Sequence, residues 1–167
     1  TFFGARVTSP RGLDYHTQAG GRVLCFDCAA FESGGMTLLV KARSLLFVPA
    51  DRPERYAKAL ASGADVICID LEDALKPQAR EEARKSVTDF LKSLGPAHRF
   101  GVRINHLSNL DGLRDVLSLH AAERSPAFVV MAKTQSAVEM QILAALLPGV
   151  PLIALIESIK GVEAANS

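Results

Sequence analysis

The sequence has few cysteines, little net charge and no long apolar run, whereas an abundance of these features marks several large functional classes. It carries three cysteines in 167 residues, its formal net charge is +1, and its hydrophobic and charged fractions are 49% and 22%. Because basic residues are not in surplus, nothing points to a nucleic acid or an anionic membrane as partner. No apolar stretch approaches the roughly 18 residues that a membrane-spanning helix needs. The composition therefore predicts a globular domain with a sizeable core.

The cysteines and the common catalytic motifs are also sparse. Cys25 and Cys28 form a CxxC pair, but no second ligand pair follows as a zinc site requires, and the context does not suit a redox pair. Cys68 lies in an apolar run and is expected to be a small core residue. No Gly-rich phosphate fingerprint and no GxSxG elbow occurs. We expect a reducing, cytoplasmic compartment, with the mitochondrion as the alternative.

The chain divides into two regimes. Residues 1–35 are rich in Gly, Ser, Thr and Arg without a sustained period, so we expect an irregular N-terminal extension. Residues 36–167 alternate apolar runs with amphipathic stretches, at the spacing of βα units. Strands are predicted at 43–48, 65–70, 100–105, 127–132 and 151–156, and helices at 53–63 (capped by Asp51), 79–94, 111–122, 136–147 and from 159 onward.

Polar residues recur at or just after the carboxyl ends of these strands. In a closed barrel such ends converge on one face, where the active site lies. In an open sheet they lie along a line, and only those beside a switch point meet. The repetition favours an α/β fold of the (β/α)8 TIM-barrel type, of which this chain holds about five strands. The residues are Asp70, Glu72, Asp73, Arg103, Asn105, Lys133 and Glu157.

These residue types form a coherent chemical set. Glu157 and the Glu72/Asp73 pair offer hard oxygen ligands, which suit Mg²⁺ or Mn²⁺. Arg103 offers a planar fork for a carboxylate. A metal ion together with an arginine can hold a 2-oxo acid or polarise it toward its enolate, which stabilises the charge that develops in aldol chemistry.

Structural readings of the same residues stay open. A lone acidic residue after a strand is usually a helix cap or part of a solvated turn. Either carboxylate of the Glu72/Asp73 pair could bond to Lys76 or close an ion pair with Arg103. Lys133 could be an exposed loop residue. The functional interpretation is favoured because the positions repeat from strand to strand.

Four motifs occur in order along residues 38–167. They are RSLLFVPADRPERYAKALASGADVICIDLEDAL, GVRIN, MAKTQSAVE and PLIALIESIKG. Together they resemble the citrate lyase beta-subunit family, which includes malyl-CoA lyases. The resemblance implies a (β/α)8 barrel, a Mg²⁺ ion, and an acyl-CoA or 2-oxo acid as substrate, with coenzyme A as part of that substrate.

The resemblance also implies residue roles and a reaction. Arg103 would bind the substrate carboxylate, Glu157 would be a metal ligand, and Glu72 with Asp73 would orient the catalytic site. Lys133 is a further candidate for substrate binding. The implied reaction is Claisen-type cleavage or formation of a 3-hydroxy-acyl-CoA, such as citryl-CoA or malyl-CoA, through a thioester enolate.

Two departures from the family pattern affect these expectations. The sequence ends at Ser167, before the position of the second metal ligand and the C-terminal segment that the resemblance implies. We therefore expect this chain to be inactive alone and the full-length protein to be a homo-oligomer. Residues 1–35 do not resemble the family. Met36 as the natural start is a hypothesis; the alternative is a targeting segment, against which Asp14, Asp27 and Glu32 argue.

Two other functions compete with the magnesium-dependent carbon–carbon lyase. One is a CoA-independent aldolase that acts on 2-oxo acids with the same barrel. The other is a non-catalytic partner subunit. Contacts to coenzyme A at Arg52, Arg55 or Lys58 would distinguish the lyase from the CoA-independent aldolase, although such surface side chains are usually just solvated.

Overall fold

The computed structural model describes residues 6–8, 14–18, 21–25, 34–73 and 75–165, and side chains from residue 38 onward. The strands of this part are β1 (Arg6–Thr8), β2 (Asp14–Gln18), β3 (Gly21–Cys25), β4 (Leu45–Pro49), β5 (Val66–Asp70), β6 (Phe100–Ile104), β7 (Val129–Met131) and β8 (Leu152–Ile156). Its α-helices are α1 (Gly34–Lys41), α2 (Tyr56–Ala61), α3 (Arg80–Ser93), α4 (Leu110–His120), α5 (Ala137–Leu146) and α6 (Ile159–Ala165).

The order of the strands in the sheet decides the fold class. The sheet runs β1-β2-β3-β8-β7-β6-β5-β4, and the strands from β4 to β8 pair in parallel with their neighbours in sequence. A doubly wound sheet reverses its strand order at a switch point, whereas a barrel does not. The predicted α/β fold of the TIM-barrel type is confirmed, with five parallel strands in the described part of the chain.

The boundaries of the predicted elements are close to those observed. The five parallel strands lie within the predicted ranges or one residue beyond them. Asp51 is not the expected cap, because the first turn is a 3-10 turn that begins after Arg52 without a side-chain hydrogen bond. Helix α5 instead begins with a capping box, in which Ser136 and Glu139 bond each other's backbone N–H. Helix α1 was not predicted.

The expectation that residues 1–35 are irregular is wrong for the three stretches that form β1, β2 and β3. These strands pair antiparallel in order, and β3 runs antiparallel along β8, from Arg22 opposite Ile156 to Cys25 opposite Ile153. The edge of a sheet presents unpaired backbone groups that any strand can satisfy, so an apolar period is not required. The division of the chain after residue 35 stays a prediction, and Cys28 lies outside the described residues.

The two faces of the parallel sheet bury different partners. One face packs against the outer helices, with residues such as Ile69, Val102 and Met131 in contact with that layer. The opposite face carries Val66, Cys68, Phe128, Val130 and Ile153, against which Leu38, Leu39 and Ala42 at the end of α1 pack. Cys68 is a buried free thiol, as expected of a core residue. Among the described residues, no helix has the length and apolar character needed to cross a membrane.

Gly101 in β6 lies directly against the ring of Phe128, the residue before β7. A Cβ atom at this position would lie 2.3–2.4 Å from ring carbons of Phe128, whose side chain is fully buried. We expect Gly101→Ala to destabilise the fold by about 1–3 kcal/mol, since the ring cannot move without repacking the core. Urea unfolding would measure this, with Gly95→Ala as control because its Cβ would meet nothing within 4 Å. Equal stability of the two variants would contradict the packing described.

Candidate active site at the carboxyl ends of the strands

Arg103 is the central cation at the carboxyl ends of the parallel strands. It lies opposite Asp70 in the β5–β6 register, and it donates from Nε and Nη2 to Oδ1 and Oδ2 of Asp70 at 2.8 and 2.7 Å. Its guanidinium also stacks over the ring of Phe47, 5.0 Å from the centroid. The bidentate hydrogen bonding and the stacking fix the plane of the guanidinium, and the side chain is only 12% exposed.

The second edge of the same guanidinium faces the acidic loop after β5. Nη1 of Arg103 lies 3.4 Å from Oε2 of Glu72, and Nη2 lies 3.6 Å from Oδ2 of Asp73. Both are ion-pair distances rather than good hydrogen bonds. Within the described residues, the buried Oε2 of Glu72 has no hydrogen-bond partner. This edge of Arg103 therefore carries donors that a substrate oxygen could use.

Lys133, just after β7, joins the acidic loop to the end of β8. Its ammonium donates to Oε1 of Glu72 and lies 3.5 Å from Oδ1 of Asp73. Its backbone N–H donates to Oε1 of Glu157 at 2.9 Å. Lys133 adopts a φ of 54°, a left-handed conformation that costs a non-glycine residue on the order of 1–2 kcal/mol. Such strain is often found at functional sites, where the surrounding structure holds it in place.

The two carboxylates of the loop differ in their electrostatic surroundings. Burial raises the pKa of Glu72, as does its neighbour Asp73, and the charges of Lys133 and Arg103 only partly oppose this. Partial burial would also raise the pKa of Asp73, but its hydrogen bond with Glu72 and the same two cations bring that pKa below its usual range. The hydrogen bond to Glu72 raises the pKa of Lys133. The loop thus holds one carboxyl group that retains its proton more readily than its neighbour.

The sequence model of one protein family, described as HpcH/HpaI aldolase/citrate lyase, matches residues 43–167. The chain belongs to this family. The resemblance inferred from the four motifs is therefore confirmed, and the aldolase/citrate lyase domain includes every residue of the site described above.

Individual relatives agree with this assignment. A (3S)-malyl-CoA thioesterase of Cereibacter sphaeroides is 32% identical over 120 residues, which cover 71% of this chain and 41% of the relative. A citrate lyase subunit beta-like protein of Mycobacterium tuberculosis is 38% identical over 126 residues, 75% of this chain and 42% of the relative. The chain thus spans about two fifths of the length of these curated relatives.

A solved structure resembles the same part of the chain. The CitE protein of Mycobacterium tuberculosis, in complex with magnesium, acetoacetate and coenzyme A, superposes with a TM-score of 0.64 at 38% identity. The match covers 75% of this chain and 43% of the CitE chain. The family therefore includes proteins whose structures contain magnesium and coenzyme A.

The donor chemistry of this aldolase/citrate lyase site is compatible with a divalent cation. Within the described residues, Asp70, Glu72 and Asp73 pair with Arg103 or Lys133, and Glu157 bonds the backbone of Lys133; ionisation of these four carboxyl groups and two cations leaves two negative charges in excess. Oxygen ligands are those that Mg²⁺ prefers, and Mg²⁺ often binds through one or two carboxylates with water and substrate. No group of three or more His, Cys, Asp or Glu side chains in the described residues is arranged to hold a metal.

The structure brings the predicted site residues together, gives Asp70 a partner that the sequence did not predict, and adds Phe47. Glu72, Asp73, Arg103 and Lys133 contact one another directly, and Glu157 joins them through the backbone of Lys133. The alternative partner Lys76 is exposed. Asp70 was noticed at a strand end but not as the principal partner of Arg103, and Phe47 was not singled out. Knowledge of the parallel register of β5 and β6 would have identified Asp70 as the partner of Arg103.

Proposed function

We propose that this site belongs to a magnesium-dependent carbon–carbon lyase that cleaves or forms a 3-hydroxy-acyl-CoA of the malyl-CoA or citryl-CoA class. The observation that carries the proposal is the arrangement of Arg103. Asp70 holds one edge of its guanidinium, and the other edge, formed by Nη1 and Nη2, faces the acidic loop. A planar pair of donors held in this way suits a substrate carboxylate.

Each remaining side chain of the site has a role in this proposal. Lys133 adds a second positive charge beside the substrate carboxylate and is 51% exposed, so it can turn toward a ligand. Glu157 is the metal ligand on this part of the chain, and Mg²⁺, or Mn²⁺ in its place, would supply Lewis-acid stabilisation of developing negative charge when bound. The backbone N–H of Lys133 fixes the carboxylate of Glu157.

The acidic loop supplies the proton transfers of the reaction. In the cleavage direction, the 3-hydroxyl group loses its proton to a carboxylate of the Glu72/Asp73 pair. The C2–C3 bond then breaks, C3 becomes a carbonyl group, and the electron pair passes into the thioester enolate. Protonation of C2 yields the shorter acyl-CoA. A buried carboxyl group of raised pKa beside one of lowered pKa suits such a transfer in both directions.

Product analysis tests the proposal and separates it from hydrolysis. The protein in its full natural length, with Mg²⁺, is incubated with malyl-CoA and with citryl-CoA, and the products are separated by chromatography. A lyase yields acetyl-CoA with glyoxylate or with oxaloacetate, whereas a thioesterase yields free coenzyme A with malate or with citrate. Acetyl-CoA from at least one substrate is the expected result. Free coenzyme A as the only thiol product would contradict the lyase proposal.

The two competing functions give different results in the same assay. A CoA-independent aldolase would leave both thioesters intact and would cleave free hydroxylated 2-oxo acids. A partner subunit would cleave neither class of substrate, even when folded. The proposal extends to the assembly: we expect a homo-oligomer with a small-molecule acyl-CoA substrate.

A further inference from the structure

The backbone ladder between β5 and β6 ends in an unusual way just below the acidic loop. The N–H of Leu71 still donates to the carbonyl of Arg103 at 3.0 Å, as a parallel ladder requires. The next backbone donor in that ladder would be the N–H of Asn105, which turns away and donates to Oδ2 of Asp115 at 2.9 Å. The side-chain amide of Asn105 takes over and donates to the carbonyl of Leu71 at 2.9 Å.

The amide of Asn105 is itself held by buried groups. It donates a second hydrogen bond to Oδ2 of Asp115 at 2.8 Å, so one carboxylate oxygen accepts from both donors of Asn105. The other oxygen of Asp115 accepts from Nε of Arg84 at 2.7 Å. Asp115 is fully buried and Arg84 is 3% exposed, and Arg84 is fixed in turn by Asp111 on α4. Both carboxylate oxygens are thus satisfied, and the amide has one orientation available.

We propose that Asn105 is a positioning residue for the acidic loop, held in that role by Asp115. The backbone N–H and the backbone carbonyl of Leu71 both bond to the segment that carries Arg103, through the carbonyl of Arg103 and the side chain of Asn105. Glu72 follows directly, so its backbone is tied to the strand that bears Arg103. The inference rests on the proposed function for its catalytic consequence, whereas the positioning itself is independent of the reaction.

The first test compares two identical substitutions four residues apart. Asn105→Ala removes the donor to Leu71, whereas Asn109→Ala removes the side-chain cap of α4, a partly buried hydrogen bond from the N–H of Gly112. In the full-length protein with Mg²⁺, we expect Asn105→Ala to lower kcat by about 100-fold with little change in KM, because small displacements of catalytic groups have effects of this size. Asn109→Ala should lower thermal stability without this loss of kcat.

Two further readouts separate positioning from a general loss of stability. Native-state hydrogen exchange of the amides of Leu71 and Glu72 should accelerate at least tenfold in Asn105→Ala, with the amide of Ile67, near the start of β5, unchanged. In a double-mutant cycle, Asn105→Ala should cost little additional kcat when Glu72→Gln is already present. Unchanged exchange at Leu71 and Glu72, or fully additive losses, would overturn the proposal. If the wild-type protein lacks lyase activity, the proposed function fails, and the exchange experiment still decides whether Asn105 holds the loop.

Discussion

Arg103→Ala is expected to lower the free energy of unfolding by about 3–5 kcal/mol, the usual consequence of removing one partner of a buried ion pair. Asp70 is 4% exposed and receives two hydrogen bonds from Arg103, so the substitution leaves its carboxylate buried without its cation. The same change removes the donors assigned to the substrate carboxylate. Lyase activity should therefore be lost even under conditions where the variant is folded.

Three companion variants distinguish this account from a general sensitivity of β6. Arg99→Ala, at the other end of the strand, removes an exposed hydrogen bond to the carbonyl of Leu60 and should cost no more than about 1.5 kcal/mol. Asp70→Asn in the Arg103→Ala background should recover part of the stability, because it removes the buried carboxylate that has lost its cation. Arg103→Lys should retain more stability than Arg103→Ala but little activity, since an ammonium cannot form the two-pronged bond. Similar urea midpoints for Arg103→Ala and Arg99→Ala would contradict the geometry.

Glu72→Gln is expected to lower kcat/KM by about 10²–10⁴-fold, the range over which general acid–base groups contribute. The same variant should be at least as stable as the wild type at neutral pH. Burial raises the pKa of Glu72, so ionisation of this carboxyl group opposes folding, and an amide of the same shape avoids that ionisation. Opposite changes in activity and stability are the signature of a residue retained for function.

The pH dependence of this effect has a defined sign. Because the pKa of Glu72 is higher in the folded than in the unfolded chain, its contribution to stability is most favourable at low pH. That contribution is lost as the pH rises from the ordinary value of 4.5 through the raised folded value. The stability advantage of Glu72→Gln should therefore shrink as the pH is lowered toward 4.5. Glu82→Gln, a change on the exposed surface of α3, should show no such trend.

The parallel strands could be predicted from the sequence because each is a short apolar run between turn residues. The site residues could be predicted because they follow the strands, and parallel strands bring those positions to one edge. The role of Asp70 could not, since it depends on the β5–β6 register, which places it opposite Arg103. The exchange of backbone for side-chain donor at Asn105 depends on a buried carboxylate ten residues later, and local sequence does not reveal it.

Four N-terminal elements, β1, β2, β3 and α1, were missed for a different reason. The strands β1, β2 and β3 lack an apolar period, and what defines them is their pairing with one another and with β8. Helix α1 is short, and its residues Leu38 and Leu39 pack on the face of the sheet opposite the outer helices. Elements that are defined mainly by what they pair with or pack against carry a weak signal in their own sequence.

The dependence of thioester cleavage on Mg²⁺ and on Glu157 tests the central claim most directly. The full-length protein and its Glu157→Ala variant, both shown to be folded, are assayed with malyl-CoA and citryl-CoA across a Mg²⁺ titration and after chelation. The account predicts cleavage by the wild type that is lost on chelation and restored by Mg²⁺, and no cleavage by Glu157→Ala at any Mg²⁺ concentration that saturates the wild type. Cleavage by Glu157→Ala with the wild-type dependence on Mg²⁺ would contradict the assignment of Glu157 as metal ligand, and wild-type cleavage unaffected by chelation would contradict metal-dependent chemistry at this site.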